Sequence, residues 1–300
     1  MSILLIGKNG QVGFELQRAL APLAPLVALG SAECDLGRPD SIRETVRRHR
    51  PTVIVNAGAY TAVDRAETER ERALAVNGVA PGILGEEAAA IGALVVHYST
   101  DYVFDGTLAR PYRETDPTAP PNAYGHSKLE GERRLAAATP RHLILRTSWV
   151  VGAHGHNFAK TMLRLAAERE ELRVVDDQVG APTAASLIAD CTAHIIRPYL
   201  TGPREAFPCG IYHLSADGET SWHGYARHVV ARALAAGRPL RVTPERIVPI
   251  RSADYPTLAR RPLNSRLDTT RLRQTFGLTL PHWRAGVDHI LEQILRPHSS

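Results

Sequence analysis

The sequence predicts an α/β protein: a Rossmann-like, doubly wound parallel sheet with a smaller C-terminal α/β lobe for substrate. Three observations lead there. Short apolar runs alternate with segments of helical period. A glycine turn follows the first run directly, and the alternation loosens after Trp149. The expected division is a dinucleotide-binding domain over 1–150, with the chain returning to it around 183–215, and a mainly substrate-binding lobe over 151–300.

Ile3 to Ile6 reads as a buried strand and Phe14 to Leu20 as the helix after the turn. Leu26 to Leu29, Thr52 to Val55, Ala93 to His97 and Leu143 to Leu145 continue the strand series, with helices over Ser41 to His49 and Gly82 to Ile91 between them. Strands joined this way lie parallel, with right-handed crossovers. Beyond Trp149, Phe158 to Arg169 is helical, Leu172 to Val175 strand-like, Pro182 to Ile196 helical and Ile211 to Leu214 a short strand. A helix around Tyr225 to Ala236, an irregular Pro- and Arg-rich stretch from Ile250 to Arg266 and an amphipathic helix from His282 to Leu295 complete the chain. No repeat or Gly/Ser linker is visible, so the lobes are expected to share an interface.

Composition narrows the function classes. The 300 residues are 44% hydrophobic and 22% charged, ordinary for a soluble domain that folds throughout. The net charge of +5 comes from arginines interleaved with glutamates, as in Glu67 to Arg72, which suits a solvated surface better than a nucleic-acid groove. A mild positive balance also favours phosphorylated small molecules. Cys34, Cys191 and Cys209 are odd in number and widely spaced, indicating neither disulfide framework nor zinc site but a reducing compartment. With no signal-peptide pattern and no membrane-length apolar stretch, the expected location is the cytoplasm, without membrane or nucleic-acid partners. His154 and His156 lack an obvious third ligand, so no metal is expected there.

The chemistry-bearing residues fall into three groups. Gly7-x-x-Gly10-x-x-Gly13 opens the first helix, where backbone amides and the helix N-terminus can hold a pyrophosphate. Tyr124 and Lys128 stand four residues apart, on one helical face, in a chain that keeps lysine at only Lys8, Lys128 and Lys160. An ammonium is a compact point charge that can bind a ribose hydroxyl and lower a neighbouring phenol's pKa from about 10, so Tyr124 is read as the proton donor of a carbonyl reduction. The run Val95 to Tyr102 leaves a strand at its carboxyl end, where Thr100 can donate a hydrogen bond to a substrate carbonyl oxygen. Asn77 reads equally as a contributor to the site and as a buried polar support. Where dinucleotide sites often carry an acid after the second strand, Gly30 and Ser31 stand, so a 2′-phosphate would meet no repulsion there and NADPH is the expected cofactor, with NADH tolerated. Asp35, a little further on, is expected at the adenine.

Glycine turn, strand-end threonine and Tyr-x-x-x-Lys together resemble the extended short-chain dehydrogenase/reductase family, and the wide glycine spacing is typical of short-chain dehydrogenases. Gly7 to Gly13, His97 to Asp105, Arg146 to Trp149, Asn157 to Leu163, Asp177 to Thr183 and Arg261 to Ser265 narrow the resemblance to its nucleotide-sugar reductases. The match covers essentially the whole chain. It implies NADPH- or NADH-dependent reduction of the C4 ketone of dTDP-4-dehydro-L-rhamnose to dTDP-L-rhamnose, for cell-surface polysaccharide. By the same matching Tyr124, Lys128 and Thr100 are catalytic, with Lys128 holding the nicotinamide ribose. Gly10, Gln11, Val12, Asp35, Leu36, Ala59, Tyr60, Thr61 and Tyr98 line the cofactor, and Thr100, Asp101 and Trp149 face the sugar. C-terminal arginines are candidates for the substrate's diphosphate. Some members bridge a homodimer through magnesium held by glutamates; Glu15 fits, but Ser186 and Gln293 occupy the other matching places, which argues against a metal here. Two other readings stand beside this one: a non-catalytic nucleotide-binding regulatory subunit, and another reductase, epimerase or dehydratase of the family. The intact Thr100, Tyr124 and Lys128 set favours catalysis, and Tyr102 in place of a glutamate after Asp101 favours simple reduction.

Overall fold

The computed structural model describes residues 1–296; positions 297–300 of the expected second lobe lie outside the described residues. The chain begins β1 (Ile3–Ile6), α1 (Gln11–Leu20), β2 (Leu26–Leu29), α2 (Pro39–His49) and β3 (Val53–Asn56). Then come α3 (Arg70–Leu74), a π-helical segment over Ala75–Val79, α4 (Ala80–Ile91), β4 (Leu94–Thr100), α5 (Ala123–Ala138) and β5 (His142–Thr147). The later elements are β6 (Val150–Val151), α6 (Phe158–Glu168), β7 (Leu172–Val175), β8 (Val179–Gly180), β9 (Thr183–Ala184), α7 (Ala185–Thr201), β10 (Gly210–His213) and β11 (Thr220–Ser221). They end with α8 (Trp222–Ala235), β12 (Ile247–Ile250), α9 (Thr270–Phe276) and α10 (Trp283–Leu295).

Six strands form one parallel sheet in the order β10-β5-β4-β3-β1-β2. The strand period of two feeds two cores. Ile3, Leu5, Val53, Val55, Val96 and Leu145 pack with Leu16 and Leu20 of α1 and Ile188 and Ile195 of α7. Leu4, Ile6, Ile54, Val95 and Ile144 point the other way, onto Ile42 and Val46 of α2, Ile83 and Leu84 of α4 and Leu135 of α5. This explains why the central strands are apolar throughout, whereas edge strand β2 is partly exposed. A third core, with Met162, Val174, Val229, Trp283 and Ile290, joins α6, α8 and α10 to the parallel pair β7 and β12.

The later chain is interleaved with the sheet: β10 adds its sixth strand and α7 packs along α1. The helix expected from Pro182 begins at Ala185, because Thr183 and Ala184 pair with β6 instead. Its C-terminal end runs through Pro198 to Thr201. The stretch 251–266 is irregular apart from one short turn of 3₁₀-helix at Ser252–Asp254. No described helix is long and apolar enough to cross a membrane, and the three cysteines are free thiols.

One buried ion pair ties the sheet to the helix that carries Tyr124. Arg146 on β5 meets Glu132 on α5 through two hydrogen bonds, Nε to Oε1 at 2.9 Å and Nη2 to Oε2 at 2.6 Å, with both side chains almost fully buried. Its guanidinium carbon lies 5.1 Å from the Phe104 ring centre. Removing one partner strands the other charge in the core. Glu132→Ala is therefore expected to cost roughly 3–5 kcal/mol, whereas Arg146→Met combined with Glu132→Leu should cost much less. Urea unfolding of the three proteins measures this, and a near-neutral single variant would contradict it.

Candidate active site

In a sheet of this order the strand direction of travel reverses between β1 and β3, and ligands bind beyond the carboxyl ends of the strands at that switch. A cavity of about 780 Å³ opens there. Its floor is the Gly7 to Gly13 turn. Gly7 has φ +90°, and a Cβ on it would lie 2.4 Å from the Gly58 amide nitrogen. A Cβ on Gly13 would sit 1.9 Å from the Gly7 carbonyl oxygen, so the helix could not approach the turn this closely with any side chain there. Gly10 differs: its missing side chain faces open space, with only the Gly7 oxygen within 4 Å, at 3.6 Å. Gly10 also caps α1 without a side-chain hydrogen bond, and no acidic residue occupies the first turn. The N-terminal amides of α1 thus point at an open cradle, which fits a dinucleotide pyrophosphate.

Of the residues expected at the cofactor, Gly7, Gly10, Gln11, Val12, Asp35, Leu36, Ala59, Tyr60, Thr61, Tyr98, Tyr124 and Lys128 all line this cavity. Gly13 does not; it serves helix packing. Thr100, Asp101 and Trp149 lie outside its lining. The lining also includes Arg72, Val76, Thr147, Val150, Gly155 and His156, which sequence spacing does not single out. Gly155 and His156 reach it because the 152–157 loop docks on the glycine turn. The Gln11 side-chain oxygen accepts from the Gly152 amide at 2.9 Å and from Asn157 at 3.0 Å, and the His154 ring stacks on Phe14 at 4.4 Å.

Asn122 starts α5 by accepting a hydrogen bond from the Gly125 amide at 2.8 Å, and the helix then presents Tyr124 and Lys128 on its cleft side. Asn77, fully buried in the π-helical segment, acts as a support. Its side chain bonds both the amide and the carbonyl of Tyr60, at 2.8 and 2.9 Å, and the Ser127 hydroxyl at 3.0 Å. It pins the 59–61 loop to α5. A π-bulge placed beside a functional cleft is a recurrent arrangement.

The electrostatics correct one expectation. Tyr124 and Lys128 share the cleft, yet the ammonium does not make the phenol acidic. Lys128 is buried, and its Nζ donates to the Tyr98 carbonyl at 2.6 Å and lies 3.3 Å from His97 Nε2. Burial lowers its own pKa to about 8, against a partial counter-effect from Glu132. Burial likewise pushes Tyr124 up to about 12; the Thr100 hydroxyl offsets part of this and Asp101 adds to it. Desolvation dominates at the phenol, and the ammonium hydrogen-bonds to the Tyr98 carbonyl rather than to Tyr124. His97, buried beside the ammonium, is held well below the usual histidine range and is neutral. Asp101 rises to about 7 through burial, relieved in part by Ser265 and Thr100, and its Oδ2 has no hydrogen-bond partner within the protein. Trp149 adopts a left-handed backbone, φ +48°, and stacks on Trp222 at 3.7 Å.

A second correction concerns the end of β2. The chain position after the strand is Gly30, but a carboxylate stands there nonetheless. Glu33 folds back, accepting from the Gly30 amide at 2.6 Å and pairing with Lys8 at 2.5 Å. Its place about twenty residues past the last glycine of the turn fits the usual spacing of such an acid, but a turn rather than the strand itself carries it to the strand end.

Glu15, Ser186 and Gln293, the places matched to magnesium ligands, line one surface hollow, where Arg18 reaches Glu15 at 3.5 Å and Asp190 at 2.8 Å. Among the described residues, no three His, Cys, Asp or Glu side chains gather as metal ligands.

Comparison with known proteins agrees with this geometry. The family model for the RmlD substrate binding domain matches residues 1–296. Curated dTDP-4-dehydrorhamnose reductases from Escherichia coli K12 and Burkholderia thailandensis are 52% and 51% identical, over 98% of this chain and 98% and 99% of theirs. The solved dTDP-4-dehydrorhamnose reductase of Clostridium acetobutylicum superposes with a TM-score of 0.90 at 31% identity, covering 99% of this chain and all of that one. The Bacillus anthracis dTDP-4-dehydrorhamnose reductase in complex with NADP gives 0.87 at 32%, over 97% and 99%. With a glycine cradle at the sheet's switch point and full-length matches of this strength, the chain belongs to the RmlD family, that of the dTDP-4-dehydrorhamnose reductases.

Proposed function

We propose that the protein reduces the C4 ketone of dTDP-4-dehydro-L-rhamnose to dTDP-L-rhamnose, using NADPH and also accepting NADH. The carrying observation is that Tyr124 and Lys128 open into the same cavity as the Gly7–Gly10 cradle, with Thr100 beside the phenol. The relatives' shared name supplies the substrate class.

The dinucleotide, when bound, supplies the hydride; the chain's residues do the rest. The open amides of α1 hold the pyrophosphate. A phenol held near 12 is fully protonated at neutral pH and so is loaded for donation to the more basic alkoxide forming on the sugar. Thr100 donates to the same oxygen and places the ketone against Tyr124. Lys128, with a pKa near 8, is still charged at neutral pH and holds the nicotinamide ribose. Asp101, hydrogen-bonded to Thr100, faces the sugar beside it, and Trp149 gives the sugar an apolar face. In this reading residues 1–150 and the returning segment serve the cofactor, and the later lobe serves the sugar nucleotide.

The decisive assay follows NADPH or NADH oxidation by the purified protein with dTDP-4-dehydrorhamnose; no oxidation with either cofactor would reject the proposal. Tyr124→Phe removes the donated proton and should lower kcat by roughly a hundredfold or more with folding intact. Full turnover in that variant would reassign the acid. A lowered lysine pKa means that the charged form is lost as pH rises through it. The pH profile of kcat/KM should therefore fall above about 8. A profile that stays flat up to the tyrosine range would remove Lys128 from the mechanism, as would unchanged kinetics in Lys128→Met.

A further inference from the structure

Beneath Lys128 lies a buried chain of polar groups that the reaction described above does not use. His97 on β4 stands between two neighbours: its Nε2 lies 3.3 Å from Lys128 Nζ, and its Nδ1 lies 3.2 Å from Asn56 Nδ2. Asn56 ends β3, and its side-chain oxygen accepts from the Gly58 amide at 3.2 Å, which turns the side-chain nitrogen to the ring. All three side chains are buried, so the hydrogens between them need partners within the protein. Burial also keeps the imidazole neutral. A neutral imidazole carries one N–H and one lone pair, yet here both neighbours are donors. One contact is therefore opposed, whichever nitrogen carries the hydrogen.

Two arrangements relieve the conflict. With Nδ1 accepting from Asn56, the hydrogen on Nε2 faces the lysine, which suits a neutral amine with a free lone pair and opposes an ammonium. With Nε2 accepting from the ammonium, the hydrogen on Nδ1 faces Asn56, whose amide must then turn its oxygen to the ring and leave the Gly58 N–H. The Tyr98 carbonyl accepts from Nζ in both. The ring keeps one hydrogen throughout, and the group as a whole takes one proton from solvent when the lysine becomes charged. We propose that His97 is a positioning residue that couples the charge on Lys128 to the Asn56 amide: the ammonium requires the ring to accept at Nε2 and the amide oxygen to turn to Nδ1, which releases the Gly58 N–H. Gly58 lines the cofactor cavity, so the arrangement that charges the lysine also offers the cleft one more donor. Of the other charges on elements packed against α5, Glu132 favours the ammonium and is itself matched by Arg146 of β5. Asp101 and Tyr102, on the turn after β4, act on each other and on Tyr124. Helices α3 and α4 direct theirs into pairs such as Arg70–Glu67 and Arg47–Glu87.

The kinetic consequence rests on the proposed role of Lys128 in the reaction; the hydrogen positions do not, and the test separates the two. The full-length protein, carrying isotope-labelled histidine and without cofactor or sugar, is followed by nitrogen NMR from about pH 6 to about pH 10. The His97 ring signals are those missing from His97→Gln. As the lysine loses its charge near pH 8, the ring hydrogen should pass from Nδ1 to Nε2 with the imidazole neutral throughout. Lys128→Met should abolish that change and leave the hydrogen on Nε2. One unchanging tautomer in the wild-type protein, or a change that persists in Lys128→Met, would overturn the coupling. In kinetics, His97→Gln presents the ammonium with an amide oxygen and no opposed hydrogen, so the alkaline fall of kcat/KM should move up by about one pH unit. Asn56→Leu removes the competing donor and should move it the same way. Equal losses at every pH, with the fall left in place, would make His97 a packing residue only and reject the coupling. Absence of turnover with either cofactor would overturn the functional reading alone, because the NMR arm needs neither substrate. Thermal unfolding shows whether each variant keeps its fold, and the wild-type NMR titration decides the matter even where one does not.

Discussion

A lysine side chain buried beneath the cleft is the constraint around which this molecule is arranged. An ammonium taken out of water must be solvated by the protein. Here the Tyr98 carbonyl at the end of β4 does this, beside a histidine kept neutral by the same burial. That bond fixes α5 against β4. It also sets the rotation of α5, so that Tyr124, one helical turn upstream, faces the cavity while Glu132, one turn downstream, points inward to Arg146. A single row of the helix thus carries the proposed acid, the proposed ribose-binding charge and a structural ion pair. Moving the lysine would disturb all three.

The opposite wall depends on backbone contact. The Gly7 turn touches the Gly58 amide on one side and the Gly13 helix turn on the other at distances no side chain would allow. The cradle is therefore rigid because it is packed, and open because Gly10 projects nothing into it. Gln11 and Phe14 then use the outer side of the same turn to anchor the 152–157 loop, through hydrogen bonds to Gly152 and Asn157 and a stacked histidine. Cofactor cradle and later chain are coupled through those few contacts, and His156 reaches the cleft by way of them.

Much of this was legible in the chain. The parallel sheet follows from apolar runs separated by helical periods, and the cradle from three glycines placed directly after the first run. Tyr124 and Lys128 follow from a spacing that only a helix makes meaningful. The helix starts three residues after Pro182, because Thr183 and Ala184 find a strand partner in β6, which no local pattern reveals. The phenol's acidity is not legible in the same way. Sequence spacing puts a cation near Tyr124, but whether it acts on the phenol depends on what else it touches and on how much water remains.

Local chemistry, then, determined the elements, the cradle and the Tyr124–Lys128 pairing on one helix face, since helical period, glycine placement and side-chain type are properties of short stretches. Tertiary structure alone decided three matters: that Lys128 turns to the Tyr98 carbonyl, that Glu33 returns to the end of β2, and that a strand beginning at Gly210 completes the sheet. Each depends on groups distant along the chain, or on a turn whose direction the neighbouring strand sets. Desolvation and pairing at such contacts are properties of the packed interior, which has no counterpart in a linear pattern.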